Sequence, residues 1–346
     1  MKDKIVKFIE VHVVAWPCNF RCNYCFIGHK LPENERGVVS EYKYTPQEFA
    51  SMLSKKRLGG TAIINFGAYG ETLILPKNLE YIKALLNEGH FVMIVSNMTI
   101  TKSIDALMEL PQEQRERLFF KGSYHYMELK KRGLLQTFAD NMNKIWKAGC
   151  SGTVELVPCD EMEEYIDELS QFSLDNFGAL PHVTIARDEL KPGYTLLTKH
   201  SLEDYKKIWS QFKSELFEMK MQIWEKKITQ FCYAGDWAFQ VELNNGKITR
   251  CNGVGEIGQI TDKKLPRKPA CKKCPLMHCY NGHSYIASGV VPDIKTMTYA
   301  DIRDRVRPDG THWLTPRYQH VFSQKLYENN KRYSPIKEKI LNFFKK

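Results

Sequence analysis

The chain has 346 residues, of which 43% are hydrophobic, and a formal net charge of +10. This length allows one large domain, with or without a small one, and no apolar run is long enough for a transmembrane helix. The charged N-terminus lacks a signal-peptide profile, so we expect a cytoplasmic protein with no membrane partner, whose ten cysteines are ligands or free thiols. The basic residues are scattered, which favours ordinary solubility over a nucleic-acid partner and leaves an anionic small molecule open.

Strands and helices are predicted to alternate along the first half of the chain. Apolar runs indicate the strands, and helical periodicity with capping residues indicates the helices between them. The predicted strands span residues 8–16, 61–67, 91–97, 117–126, 153–158 and 182–187. The predicted helices span residues 45–57, 76–89, 103–110, 134–149 and 161–172. This alternation predicts parallel strand pairing and an α/β fold.

The composition changes after about residue 190. A long charged helix is predicted over 202–227, and two alternating runs around Asn245-Gly246 predict a β-hairpin. Five of the ten cysteines lie in this region, at Cys232, Cys251, Cys271, Cys274 and Cys279. We therefore predict a strand–helix core, a helical linker, a small cysteine-rich domain and a tail with a last helix, with the boundaries 1–195, 196–228, 229–285 and 286–346.

Three cysteines, Cys18, Cys22 and Cys25, share one short loop after the first predicted strand. Structural zinc takes four ligands and usually has a second pair close by, whereas the next cysteine here is Cys150. Three thiolates suit a four-iron cluster that leaves one iron open to a substrate or cofactor. A zinc site is the alternative for this loop.

The CxxxCxxC spacing of this loop, with Tyr24 before its last cysteine, resembles that of the radical S-adenosylmethionine (radical SAM) superfamily. The resemblance implies a partial (β/α)6 barrel with the loop at its C-terminal face. It also implies a 4Fe–4S cluster that chelates S-adenosylmethionine (SAM), and a flavodoxin- or ferredoxin-type electron donor. The 5′-deoxyadenosyl radical formed from SAM would then remove a hydrogen atom from the substrate.

The segment NFGAYGETL resembles the GGE motif of this superfamily through Gly70 and Glu71, although Ala68-Tyr69 departs from the simpler glycine pattern. The resemblance implies that its backbone binds the amino group of SAM, and a plain strand–helix turn is the alternative. Further candidates lie along or at the ends of later strands, where a surface or core role is the alternative for each. They are Ser96, Asn97, Ser123 and Glu155 for SAM, and Lys121, His125 and Arg187 for catalysis or for clamping an anion.

The second group of cysteines resembles the SPASM/Twitch auxiliary-cluster domain of radical SAM enzymes, in which a glycine, here Gly246, turns a hairpin between two ligand cysteines. The resemblance implies a second 4Fe–4S cluster, held by Cys232, Cys251, Cys271 and Cys274, with Cys279 as either the true fourth ligand or a spare thiol. His283 stands roughly where a full SPASM domain has another cysteine, which favours the shorter Twitch form. A zinc knuckle is the alternative.

The predicted function is that of an enzyme that dehydrogenates or epimerises a sugar or another small metabolite. Maturation of a ribosomal peptide is the close alternative, although a chain that begins at the first barrel strand is expected to lack a leader-binding domain. Cys159 ends the fifth predicted strand and is a candidate hydrogen donor, with a buried thiol as the alternative. Cys150 is expected to be structural. A non-catalytic iron or zinc binding module is the hypothesis from another class.

Overall fold

The computed structural model of the protein describes residues 3–30, 37–191, 193–251 and 254–344. Its strands are β1 (Ile5–Val13), β2 (Thr61–Ala68), β3 (Phe91–Ser96), β4 (Leu118–Ser123), β5 (Ser151–Leu156), β6 (His182–Val183), β7 (Arg187–Asp188), β8 (Thr195–Leu196), β9 (Ala238–Glu242), β10 (Lys247–Cys251) and β11 (Val254–Gln259). Its helices are α1 (Phe26–Lys30), α2 (Pro46–Met52), α3 (Lys55–Leu58), α4 (Pro76–Asn87), α5 (Thr101–Met108), α6 (Gln112–Arg115), α7 (Tyr126–Lys131), α8 (Leu135–Lys147), α9 (Ile166–Phe177), α10 (Leu202–Trp209), α11 (Glu215–Ile223), α12 (Gly282–Tyr285), α13 (Pro316–Ser323), α14 (Leu326–Asn329) and α15 (Pro335–Phe344). Short 3-10 helices cover Thr72–Ile74, Asp160–Tyr165 and Ser210–Phe212.

A nine-stranded sheet organises the molecule, in the order β11-β10-β9-β1-β2-β3-β4-β5-β6. The strands β1 to β6 are neighbours in chain order and pair in parallel, each connected to the next through helices. Their carboxyl ends therefore meet at one edge, where ligands bind in such folds. This architecture confirms the predicted α/β fold with a partial (β/α)6 barrel.

Both faces of the sheet are buried, which explains the nearly continuous apolar runs of its strands. Successive residues such as Phe8 and Ile9 belong to two different apolar clusters, one on each face. The face that carries Phe8 and Phe119 is covered by the C-terminal part of the chain, where Phe322 packs edge-on against Phe119 at 5.1 Å between ring centroids. Because side chains two positions apart on a strand share a face, Glu10 lies on the same face of β1 as Phe8, one step closer to the carboxyl edge.

The predicted β-hairpin is confirmed, and it extends the main sheet. β9 and β10 are antiparallel around Gly246, whose φ of 77° lies in the left-handed region that glycine tolerates. β9 also pairs in parallel with β1, with Val241 opposite Val11. The sheet thus continues from the predicted core into the predicted cysteine-rich region. The division of the chain into four segments stays a prediction.

Several predicted elements differ from the structure. The predicted helix over 45–57 is divided into α2 and α3, and the predicted helix over 161–172 begins as a 3-10 helix before α9. The predicted helix over 202–227 is divided into α10 and α11, because Lys213 adopts a left-handed φ of 46° between them. The predicted sixth strand over 182–187 shortens to His182–Val183, and Arg187 pairs instead within the two-stranded ribbon of β7 and β8. Across the described ranges, no helix is both long enough and apolar enough to cross a lipid bilayer.

Candidate active site at the carboxyl edge of the sheet

A cavity of about 360 Å³ opens at the carboxyl edge of the parallel strands. Its wall combines the loop before α1, the ends of β2 to β5, helix α11 and residues 280–283. Thirteen of the residues predicted from the sequence line it together: Cys18, Cys22, Tyr24, Cys25, Gly70, Glu71, Ser96, Asn97, Lys121, Ser123, His125, Glu155 and Arg187. The structure therefore gathers residues that are up to 169 positions apart in the sequence, from Cys18 to Arg187, into one site.

The three cysteines of the first loop present their thiols to this cavity. The Cys18 Sγ accepts a hydrogen bond from the Phe20 amide at 3.4 Å, and the Cys25 Sγ accepts one from the Gly28 amide at 3.2 Å. Burial raises the pKa of the Cys18 thiol to about 11. Among the described residues, these thiols do not form a group packed within 4.8 Å, as the ligands of a single ion would. Three thiols, two of which accept hydrogen bonds from backbone amides, fit a 4Fe–4S cluster.

The segment with Gly70 and Glu71 is hydrogen-bonded directly to the cysteine loop. The Gly70 amide donates to the Ala15 carbonyl at 2.9 Å, and the Glu71 amide donates to the Pro17 carbonyl at 2.8 Å. A Cβ atom on Gly70 would lie only 2.1 Å from the Pro17 carbonyl oxygen. The close approach of two backbones explains why glycine occupies this position.

The Glu71 carboxylate points into the protein and joins the ends of β2 and β3. Its Oε1 accepts hydrogen bonds from the Leu73 amide at 2.9 Å and the Ser96 hydroxyl at 2.7 Å. Its Oε2 accepts one from the Asn97 amide at 2.7 Å. Burial raises the pKa of Glu71 above its usual value, and the three donors offset part of that rise. Glu71 thus fixes the wall on which Ser96 and Asn97 lie.

Glu155 is the centre of a buried ion-pair network at the bottom of the cavity. Its Oε1 lies 2.8 Å from the Lys121 Nζ, and its Oε2 accepts a hydrogen bond from the Arg303 guanidinium. Burial opposes ionisation of Glu155, but the charges of Lys121 and Arg303 outweigh it and hold the pKa of this carboxyl well below its usual value. Arg303 comes from the C-terminal part of the chain and was not identified from the sequence.

Two further predicted residues have partners that restrict their chemistry. Burial lowers the pKa of His125 to about 4, so its imidazole is neutral near pH 7. Its Nδ1 is hydrogen-bonded to the Tyr24 hydroxyl at 2.8 Å, beside the cysteine loop. The Arg187 guanidinium forms an ion pair with Glu189 at 2.6 Å and donates to the Tyr280 carbonyl at 3.3 Å. The predicted anion clamp therefore already has a carboxylate partner.

Sequence analysis missed several residues on the cavity wall. Glu10 accepts hydrogen bonds from the side-chain amides of Gln240 at 2.5 Å and Asn281 at 2.9 Å, and burial raises its pKa to about 7. Lys220 and His283 line the same cavity. The one available signal for Lys220 was a lysine among the apolar residues of an otherwise buried helix face.

The later cysteines lie together beyond Glu10. Burial raises the pKa of the Cys279 thiol well above its usual value, and the neighbouring thiols of Cys232, Cys251 and Cys274 raise it further. Cys232 and Cys271 are joined by two backbone hydrogen bonds, of 2.9 and 3.0 Å. The Cys271 thiol donates to the Pro269 carbonyl at 3.4 Å. The structure thus groups Cys279 with three of the predicted ligands.

Neither Cys159 nor Cys150 is among the described residues that line the cavity. Cys159 precedes the 3-10 helix Asp160–Tyr165 and is only 4% exposed. Burial raises the pKa of its thiol to about 12, and the Glu161 carboxylate adds to this effect. This placement does not favour direct hydrogen transfer from Cys159 to a substrate in the cavity. Cys150 lies at the opposite edge, where β5 begins, and its thiol contacts the Met108 sulfur at 3.9 Å.

Comparison with known proteins gives one family and several solved structures. The sequence model of the Radical SAM superfamily matches residues 17–120, which contain the cysteine loop and the Gly70–Glu71 segment. No curated protein matches the chain by sequence.

Three solved structures with bound S-adenosylmethionine share the fold. Streptococcus suis SuiB with S-adenosylmethionine is 14% identical with a TM-score of 0.51, over 76% of this chain and 65% of that one. Histidine-tagged anSMEcpe with AdoMet is 13% identical with a TM-score of 0.51, over 75% of this chain and 79% of that one. Native anSMEcpe with AdoMet and the Cp18Cys peptide is 12% identical with a TM-score of 0.50, over 98% of this chain and 100% of that one. The chain thus spans about two thirds of SuiB, and at these identities the likeness concerns the fold.

Proposed function

Since the chain carries a radical SAM domain on a radical SAM fold, we propose that it cleaves S-adenosylmethionine reductively and removes a hydrogen atom from a substrate in the cavity. One observation carries this proposal: Cys18, Cys22 and Cys25 face the same cavity as the Gly70–Glu71 segment, which is hydrogen-bonded to their loop. When bound there, a 4Fe–4S cluster and S-adenosylmethionine supply a 5′-deoxyadenosyl radical.

The residues of the chain position and shield the reactants. The three thiols would hold the cluster, and the backbone of the Gly70–Glu71 segment beside them would bind the SAM amino group. The Lys121–Glu155–Arg303 network keeps the bottom of the cavity rigid, because breaking a buried ion pair leaves an uncompensated charge. The enclosing wall excludes water from the reacting centre and holds one C–H bond in place.

Oxidation of the substrate is the reaction that the arrangement supports best. Epimerisation needs a hydrogen donor at the cavity, and Cys159 lies outside the residues that line it. A second group of thiols adjoins the cavity through residues 280–283. We assign an auxiliary 4Fe–4S cluster to Cys232, Cys251, Cys274 and Cys279. These four thiols are neighbours, whereas the Cys271 thiol donates to the Pro269 carbonyl at 3.4 Å.

The substrate class has two candidates. A sugar or another small metabolite is compatible with a cavity of about 360 Å³. A peptide side chain is the second candidate, and it is supported by the full-length likeness to anSMEcpe with a bound Cp18Cys peptide. The two candidates can be distinguished with peptidases, which destroy a peptide substrate and leave a sugar intact.

The experiment measures 5′-deoxyadenosine formed by the reduced, iron-loaded protein in the presence of extract from its own cells. We expect extract to stimulate 5′-deoxyadenosine formation above the level with SAM alone. Stimulation that survives prior peptidase treatment of the extract, with the peptidase then heat-inactivated, identifies a small metabolite. Stimulation that peptidase treatment abolishes identifies a peptide. Absence of 5′-deoxyadenosine under every condition contradicts the proposed function.

A further inference from the structure

Lys220 places a buried side-chain amino group on the cavity wall. Its residue is only 9% exposed, in the last turn of α11, and its neighbours Phe217 and Met221 are buried apolar residues. Within the part of the chain that the structure describes, no side chain or carbonyl forms a hydrogen bond or an ion pair with its Nζ. Burying a charged lysine without a partner costs free energy, and a ligand of opposite charge would offset that cost.

Around Lys220, the cationic side chains outnumber the carboxylates that pair with them. Lys121 and Arg303 share the single carboxylate of Glu155, and Arg187 is paired with Glu189. Four cations, counting Lys220, thus stand beside two carboxylates. Glu10 is the remaining carboxylate at this end of the cavity, and its pKa of about 7 leaves it largely protonated below neutral pH. Burial and the neighbouring cations accordingly lower the pKa of Lys220 well below its usual value. A bound anion would reverse that effect.

The Lys220 side chain lies where the main cavity adjoins the auxiliary cysteines. Lys220, Tyr280 and His283 also line a small adjoining cavity that reaches Cys279. Gly70 and Glu71, by contrast, are bonded to the loop of the first three cysteines. Lys220 therefore belongs to the auxiliary-cysteine side of the cavity, close to Glu155.

The geometry points to a substrate that carries an acidic group, a carboxylate or a phosphate, which binds the Lys220 ammonium at the auxiliary-cysteine side of the cavity. An ammonium that gains an oxyanion partner forms a charge-assisted hydrogen bond, which is strongest when both groups are shielded from water. This inference rests on the proposed function and narrows its substrate class: a sugar acid or phosphate, or a peptide with an acidic group, fits the site better than a neutral sugar.

The test uses the iron-loaded, SAM-saturated protein and two simple anions, succinate and inorganic phosphate, titrated by calorimetry. We expect at least one of them to bind with one site per chain, and the stronger of the two identifies the acidic group as a carboxylate or a phosphate. Lys220→Met should weaken this binding by at least about tenfold, the loss of one charge-assisted hydrogen bond. Lys220→Arg keeps the charge and should retain most of the binding. Lys227→Met, an exposed lysine just beyond the same helix, is the matched control and should bind like the native protein.

Three results would overturn the inference: neither anion binds, Lys220→Met binds as tightly as Lys227→Met, or the anion competes with SAM. Competition would mean that the anion occupies the place of the SAM carboxylate. Iron content and the melting temperature of each variant establish that it is folded. Formation of 5′-deoxyadenosine by the native protein is recorded in the same samples, so failure of the proposed function is distinguished from failure of anion binding.

Discussion

The close contact between Gly70 and the cysteine loop leads to a sharp mutational prediction. In Gly70→Ala, the new Cβ would lie 2.1 Å from the Pro17 carbonyl oxygen and 2.6 Å from the Trp16 carbonyl oxygen. Both atoms belong to the backbone, so no side chain can rotate away, and the loop must move by about 1 Å to restore an ordinary contact. Overpacking of this kind costs about 1–3 kcal/mol, and loss of the Glu71–Pro17 backbone hydrogen bond adds about 1 kcal/mol.

We therefore expect Gly70→Ala to lower the free energy of unfolding by about 2–4 kcal/mol and to reduce the iron held by the first three cysteines. Urea denaturation and iron analysis after reconstitution measure the two effects. Gly67→Ala is the matched control, because its Cβ would meet only the Val95 side chain at 3.7 Å, an ordinary contact. Equal iron content and equal stability in the two variants would refute the reasoning.

Three further predictions concern buried groups. Glu71→Gln should lower the free energy of unfolding in urea by about 2–3 kcal/mol, because the new amide nitrogen would face at least one of the three hydrogen-bond donors that now bind the carboxylate. The exposed Glu80→Gln is the control and should change the free energy of unfolding little; equal unfolding curves for the two variants would contradict this. Because the folded-state pKa of Glu10 is about 7 against a usual 4.5, the apoprotein should lose stability as pH rises through that window. Glu10→Gln should then gain up to about 3 kcal/mol relative to the native protein between about pH 5 and pH 8, and a pH-independent difference is the contrary result. Cys279→Ala should lower the iron content from about eight to about four per chain, while Cys271→Ala should retain more; the reverse order would exclude our assignment of the auxiliary ligands.

Local sequence patterns were sufficient to predict most of the strands and helices of the barrel. Strands buried on both faces require apolar runs such as those of β2 and β3, and the Asn245-Gly246 pair specified a turn that the structure contains. The break between α10 and α11 was missed, because Lys213 in a left-handed conformation leaves no mark on helical periodicity. The pairing of β9 with β1 was missed for a different reason, since it joins residues about 230 positions apart.

The candidate site was predictable to the extent that its residues lie in short motifs. The spacing of Cys18, Cys22 and Cys25 indicated a cluster, and alternation along β4 placed Lys121 and Ser123 on one face. The partners of these residues come from distant segments. Arg303 is 148 positions from Glu155, and only the folded chain brings the two together. A buried ionic partner of this kind has no local sequence signal, because its cost is offset only in the tertiary structure.

The central claim is that the loop of Cys18, Cys22 and Cys25 supports reductive cleavage of S-adenosylmethionine. The most direct measurement is the amount of 5′-deoxyadenosine formed when the anaerobically iron-loaded protein is reduced with dithionite in the presence of S-adenosylmethionine. We predict that the native protein forms 5′-deoxyadenosine and that the variant with all three cysteines replaced by alanine forms none, while it retains about four irons at the auxiliary site. Formation of 5′-deoxyadenosine by that variant at the native rate would contradict the account.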